Sequence, residues 1–403
     1  MTPPAATLSA GPSEAEILHA AAGWAEARPF QGIHLGISPA LNAVVELNPA
    51  AAVVWEALRL SPTLAAAEAL YAELCPQRAA QAPADVAACL DGWRAAGLFR
   101  PAPAAPAPPA PASPPADPPA GDWLFDRTIA LAGQPVAVRA ADPELAAALE
   151  DMLAGFADAP APAPEAVAAL ADGAGGWLVI DGTRAVRREP DRASARAAVF
   201  VALLHRAAGA TPWLGLLHGA CLDGPQGGVL LAAASGAGKS TLAASLLAEG
   251  WRLVAEDAVA LTPALEAVPL PFALSIKRGA WALLAGRYPD LATARTHVSG
   301  TRLIRHPRLP AACWAPVPVR PRAILFVRYD PACAPACRPV APLAALRALL
   351  TDETWINFGP AHTDRFLDWI ETTPAFDLAY PSTDDALRLI AQCLGAGPSA
   401  AGS

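Results

Sequence analysis

Apolar and polar positions change period several times along this chain, and each change marks a predicted element. GIHLGISPALNAVVEL, from Gly32 to Leu47, alternates on either side of Pro39 and predicts two short strands. LNPAAAVVWEALRL then switches to helical spacing. Asn48 is a capping residue, Pro49 suits the first helical position, and Val53, Val54, Trp55 and Leu58 make an apolar face. Ser61 and Pro62 repeat that start for TLAAAEALYAELC, and ADVAACLDGWRAAG predicts a third helix stopping at Gly97. Far downstream, GGVLLAA from Gly227 to Ala233 reads as a short strand. KSTLAASLLAEG reads as a helix with Leu242, Leu246 and Leu247 on one face and Gly250 as its stop. In GWRLVAEDAVAL, Leu253 to Ala255 is a buried strand that runs out into Glu256 and Asp257.

Between the two patterned regions lies PAPAAPAPPAPASPPADPPAG, from Pro101 to Gly121. Alternating Pro and Ala cannot build a helix or a central strand and favours polyproline II. Such a spacer reaches about 60 Å when extended. The expected organisation is a module at 28–100, a linker at 101–121 and a larger module at 122–395.

Composition narrows the class. The 403 residues are 54% hydrophobic, but alanine supplies much of that figure and 44 prolines interrupt it. No window offers the roughly 18 continuous apolar residues of a spanning helix, so no membrane partner is expected. The start MTPPAATLSAGPSEAEIL lacks a basic and then apolar signal pattern, so the expected compartment is the cytoplasm. A net charge of −8 argues against a nucleic-acid partner. The seven cysteines are scattered without metal-ligand pairing and are expected as free thiols.

The stretch LAAASGAGKST, Leu231 to Thr241, carries the chemistry. Strand, glycine turn and helix is the context in which a phosphate-binding loop acts: successive backbone N–H groups and the helix dipole converge on one concavity. The expected cradle for ATP is Ser235, Gly236, Ala237, Gly238, Lys239, Ser240 and Thr241. Lys239 would reach the β and γ phosphates and Ser240 would ligate Mg²⁺. Ala233 stands where the motif has its first glycine, a change that is costly only if the turn needs a positive φ there. Glu256 and Asp257 arrive beside the metal position, so one carboxylate can hold Mg²⁺ while the other accepts a proton. His218 closes the apolar segment WLGLLHGACL.

LLHGACL, GGVLLAAASGAGKST and GWRLVAED together resemble the catalytic domain of HPr kinase/phosphorylase and its relatives. PLPFALSIKRG extends the match at Ser275 and Lys277. The resemblance spans roughly Asp122 to Leu394 and is weak before Leu214. It implies an α/β fold with a phosphate loop of the kind found in phosphoenolpyruvate carboxykinase, and transfer of the γ-phosphoryl of ATP to a serine hydroxyl. It implies catalytic roles for His218, Lys239, Glu256, Asp257 and Lys277. Ser240 and Asp257 would hold the metal, Glu256 would be the base, though those two acids could exchange roles, and His218 would orient the base. Lys277 or Arg278 would stabilise transferring charge. The family's first acid is an aspartate, so Glu256 departs by one methylene. No match to the phosphorolysis segment is found, which favours a kinase alone. The resemblance also leaves room for a homo-oligomer.

The smaller module, with ELNPAAAVVWEAL and DVAACLDGWRAAGLF, resembles the PqqD family over roughly residues 30–100. That implies a small α+β, winged-helix-like domain that captures the leader of a ribosomally made precursor peptide by adding it as a strand at the Gly32–Leu47 hairpin. Two other readings stay open, a helical packing domain and a DNA-reading winged helix; four arginines against six acids between residues 30 and 100 speak against the last. For the whole chain the expectation is a peptide or protein kinase. A non-catalytic ATP-binding scaffold, or a kinase of a phosphocarrier or small molecule, stands as the alternative.

Overall fold

A computed structural model describes residues 12–99, 123–163, 165–182, 185–234, 236–351 and 353–395. They fall into two compact units, one within 1–106 together with 357–364, the other made of the remainder. The proline-rich stretch 101–121 lies outside the described residues.

In the first unit α1 (Glu14–Ala22) leads into β1 (Arg28–Phe30), β2 (Ile33–Ser38) and β3 (Ala43–Leu47), then α2 (Pro49–Leu60), α3 (Leu64–Leu74) and α4 (Ala82–Ala95). The strands form one antiparallel sheet in chain order, so β1 and β3 are its edges. β2 and β3 are the two strands that alternation predicts. Asn48 caps α2 by accepting from the Ala51 N–H at 2.8 Å. Thr63, not Ser61, caps α3, its hydroxyl accepting from the Ala66 N–H at 3.1 Å. Pro62 lies before that cap and only fixes the approach of the chain. Trp24 stacks on Trp55 with ring centroids 3.8 Å apart, and Trp93 meets both edge-on. Ile17, Ala21 and Trp24 join this core, so the unit begins ahead of residue 28.

The second unit opens with β4 (Phe125–Leu131), β5 (Gln134–Ala140), α5 (Pro143–Met152), β6 (Ala166–Ala171), β7 (Trp177–Asp181), β8 (Ala185–Glu189) and α6 (Arg192–Ala210). These five strands pair in chain order, and α6 packs on β6, β7 and β8. There follow β9 (Gly215–Gly224), β10 (Gly227–Ala232), α7 (Lys239–Ala248), β11 (Arg252–Leu261), β12 (Ile276–Lys277), α8 (Trp281–Leu284), β13 (His297–Ser299), β14 (Arg302–Arg305), β15 (Pro321–Tyr329), β16 (Ala336–Pro339), α9 (Pro342–Leu349), β17 (Trp355–Ile356), α10 (Pro360–Thr372), β18 (Ala375–Tyr380) and α11 (Thr383–Gly395).

The main sheet runs β11-β9-β10-β15-β18-β16, with β17 also on β9. It is mixed: β10, β15 and β18 are parallel, whereas β9 and β11 pair antiparallel on one side and β16 on the other. The architecture is therefore mixed α/β with several sheets. α7 is buried on nearly every side, with Leu242, Ala243, Leu246 and Leu247 packed against Leu222, Val229 and Leu231. A helix so enclosed holds its N-terminus rigidly at the C-terminal ends of β10, β15 and β18.

Two expectations are corrected. β11 does not stop at Ala255 but continues to Leu261, because the antiparallel partner β9 pairs with it from Arg252 to Leu261, with a register shift between Leu253 and Ala255. Cys337 and Cys393 are disulfide-bonded rather than free, since α11 packs across β16 and brings together positions 56 residues apart.

Candidate active site

The turn from β10 into α7 answers the question raised by Ala233. Gly236 and Gly238 take φ of 96° and 104°, while Ala233 is not among the residues with positive φ. The missing first glycine therefore costs no backbone strain. Gly238 is needed twice over. Besides its φ, a Cβ there would sit 2.7 Å from the Tyr380 hydroxyl and 3.1 Å from Tyr329 Cβ. The loop is tied to the sheet by the Tyr329 N–H, which donates to the Ala237 carbonyl at 3.0 Å. No side chain caps α7, so its first N–H groups remain available to an anion.

A cavity of about 390 Å³ opens over this turn. Gly236, Gly238, Lys239, Ser240 and Thr241 line it, together with His218, Asp257 and Lys277. Ala237 and Arg278 are not part of the lining. Ser235 lies outside the described residues. Of the other sequence candidates, Glu256 stands just behind the cavity wall, and the Ser275 N–H donates to its Oε2 at 3.1 Å.

Lys239 is buried, and its ammonium donates to the Ala233 carbonyl and, at 2.9 Å, to His218 Nε2. An ammonium has no lone pair, so His218 must accept there. Its Nδ1 then donates to Glu353, 3.1 Å away. Burial holds both groups' pKa values below their ordinary ones, and the Lys239 charge depresses His218 further. The His218 ring thus meets the lysine and also lies within reach of the Asp257 charge and backbone.

The acid pair is divided by its position on β11. Glu256 is buried and accepts from the Ser240 hydroxyl. Burial, and then the neighbouring Asp257 charge, push its carboxyl up to about 8. Asp257 is exposed to the cavity at a φ of 63°, a left-handed conformation inside a strand. Such a conformation turns its carboxylate away from the pleat and towards the loop. The sequence reading placed Ser240 beside Asp257; the hydroxyl instead meets Glu256.

Sequence reading missed Tyr329 and Tyr380, which flank the loop at the ends of β15 and β18, and also Glu353. Alternation marks a strand, but not which strand ends will meet. Among the described residues no group of three or more His, Cys, Asp or Glu forms a protein-only metal cage. Ser240, Glu256 and Asp257 do offer hard oxygen donors, and Mg²⁺ is commonly held by one or two carboxylates plus phosphate oxygens.

A glycine turn at the end of the parallel strand β10, a buried helix without a side-chain cap and a lysine face the same cavity as Asp257, which stands within the antiparallel strand β11; such a concavity suits a polyphosphate. No family model matches the chain, and no curated protein matches it. Among solved structures, a match is found to the HPr(Ser) kinase/phosphatase from Coxiella burnetii. It covers 44% of this chain and 95% of that one at 15% identity, with a TM-score of 0.24. Among the described residues no helix is long and apolar enough to cross a membrane.

Proposed function

We propose that the second unit is an ATP-dependent kinase that phosphorylates a hydroxyl, that of a serine or threonine on a peptide or protein. The observation that carries this reading is the gathering of Lys239, Ser240 and Asp257 around one cavity, with Glu256 held on Ser240. A site that only bound nucleotide would have no use for a second acid held in a left-handed conformation.

The residues divide the work as follows. The loop amides and Lys239 hold the phosphates. The Leu283 side chain, exposed at the cavity edge, offers an apolar surface to the base. Ser240 and Glu256 would hold Mg²⁺, which would supply charge neutralisation on the phosphates. Asp257 faces the cavity and takes the proton of the acceptor hydroxyl as its oxygen bonds to the γ-phosphorus and the bond to ADP breaks. These are the reverse of the acid roles expected from sequence, and Ser240's choice of Glu256 is the reason. Lys277, on the cavity wall, supplies positive charge near the transferred group.

The first unit, in this reading, captures the leader of a ribosomally made precursor peptide. Its support is an antiparallel sheet with edges at β1 and β3, either of which has the backbone groups to receive an added strand. The proline-rich segment then tethers the captured peptide to the kinase and raises its effective concentration.

The test is incubation of the full chain with γ-labelled ATP, Mg²⁺ and candidate peptides, comparing wild type with Lys239→Ala. Label transfer by the wild type alone is the expected result. Equal transfer by both sinks the assignment.

A further inference from the structure

A second cavity, of about 130 Å³, lies beside the first across Asp257. Asp257 is the one described residue that lines both. Glu256, Arg196, His306 and Ser299 line the second chamber, and Phe200 and Phe272 give it apolar walls.

Two polar atoms here have no partner. Arg196 Nη1 and His306 Nε2 are buried and have no hydrogen-bond partner among the described residues. Neighbouring arginines are satisfied: Arg192 by Asp142 and Glu144, Arg295 by Glu150 and Asp151. Arg196 alone of these three keeps its charge without an ion pair among the described residues. Asp257 is near enough to favour that charge but does not bond to it. A guanidinium cannot shed its proton in a protein, so its desolvation has to be offset by an anion from elsewhere. The imidazole contributes the opposite hand. His306 Nδ1 donates to the Leu274 carbonyl at 3.1 Å, and burial pulls the ring down to about 4. The neutral ring therefore presents a lone pair at Nε2. Arg196 also lines a larger cavity of about 340 Å³, in whose wall Arg192, Arg295 and His297 are each paired with a carboxylate, so that Arg196 is the cation there without an ion pair among the described residues.

Resting on the kinase reading above, we propose that this chamber is the acceptor subsite and takes a small oxyanion, a carboxylate or a phosphate, carried by the molecule whose hydroxyl is phosphorylated. Arg196 donates to the oxyanion, and His306 Nε2 accepts an O–H or N–H from the same molecule. The hydroxyl is thereby delivered to Asp257, which lines both chambers. The volume is about that of one small residue, so the group that enters is a head group or a chain end rather than a folded surface. An acceptor with its carboxylate beside the reactive hydroxyl meets all three contacts.

The experiment uses the full chain saturated with Mg²⁺ and a non-hydrolysable ATP analogue, so that the loop is filled. It is titrated by calorimetry with inorganic phosphate, with L-serine, and with serinamide, which lacks the carboxylate. Wild type binds at least one of the first two and not the amide, and which one it prefers identifies the oxyanion. Arg196→Gln weakens that binding about ten- to a hundredfold, the effect of losing a hydrogen bond to a charged group, and Arg196→Lys recovers part of it. In label transfer, wild type prefers serine-ending peptides with a free C-terminus over their amides, and Arg196→Gln equalises the two. Binding of the ATP analogue stays unchanged in Arg196→Gln, which shows an intact fold. If wild type binds neither phosphate nor serine, or Arg196→Gln binds them as well as wild type does, the proposal is overturned. Failure of wild type to bind the ATP analogue overturns the nucleotide reading instead.

Discussion

Lys239 reaches back across the loop to His218, its ammonium 2.9 Å from the imidazole Nε2. A cation is thus held in a buried place by two neutral acceptors, the ring and the Ala233 carbonyl, with no carboxylate among the described residues bonded to it. Burial lowers the lysine's pKa, so its charge weakens the fold while it serves the site. The unfolded chain holds that proton to higher pH, so the lost stability is regained as pH rises towards the ordinary lysine value. Lys239→Met should therefore raise the melting temperature by roughly 2–4 °C near neutral pH. The same change should weaken binding of a fluorescent ATP analogue by about tenfold or more. A variant that loses stability together with binding would contradict this account.

Glu256 gives the opposite trend. Its carboxyl is pushed up to about 8 by burial and by Asp257, while the unfolded side chain titrates near the ordinary value of 4.5. Between those values the folded protein keeps a proton that the unfolded chain has lost. Stability of the unliganded protein should thus fall as pH rises from about 4.5 to about 8. Glu256→Gln cannot ionise, so its denaturation midpoint should decline less over that window than that of wild type. Parallel curves for the two proteins would remove Glu256 as the source.

Asp257→Asn keeps the side-chain size and tolerates a left-handed backbone, so it isolates the carboxylate. Removing a general base costs about 10²- to 10⁴-fold in turnover. We expect that loss in label transfer with ATP-analogue affinity within a few-fold of wild type. Substantial turnover in Asp257→Asn, with none in Glu256→Gln, would return the base role to Glu256.

Gly238→Ala forces a Cβ to within 2.7 Å of the Tyr380 hydroxyl at a φ of 104°. The loop must shift, and nucleotide affinity should fall by at least about tenfold. Tyr380→Phe removes the clashing oxygen but leaves the φ strain, so the double variant should recover only part of the affinity. Full recovery would mean that crowding alone matters.

In the first unit, a Cβ on Gly36 would lie 2.9 Å from the Trp55 ring and 3.0 Å from Leu47 Cδ1. Trp55 is already stacked on Trp24 and cannot yield. Gly36→Ala should cost about 1–3 kcal/mol, read as a lower denaturant midpoint of this unit. An unchanged midpoint would mean that the three-tryptophan core is looser than its packing implies.

The local elements of this protein were legible in its sequence. Alternation and capping placed β2, β3 and α2, because period and cap are properties of adjacent residues. The glycine turn before α7 was legible for the same reason: its glycines, lysine and serine lie within one turn. The sheet and the acids' orientation were settled at long range. Asp257's left-handed φ arises within a strand paired with β9, and no window around AED encodes that partner. The five strands before Leu214 and the helix carrying Arg196 follow short, alanine-rich patterns with little contrast between faces. Only packing gave them a side. Arg196 and His306 stand 110 positions apart in sequence, and the chamber they share exists because two sheets and α6 close around it.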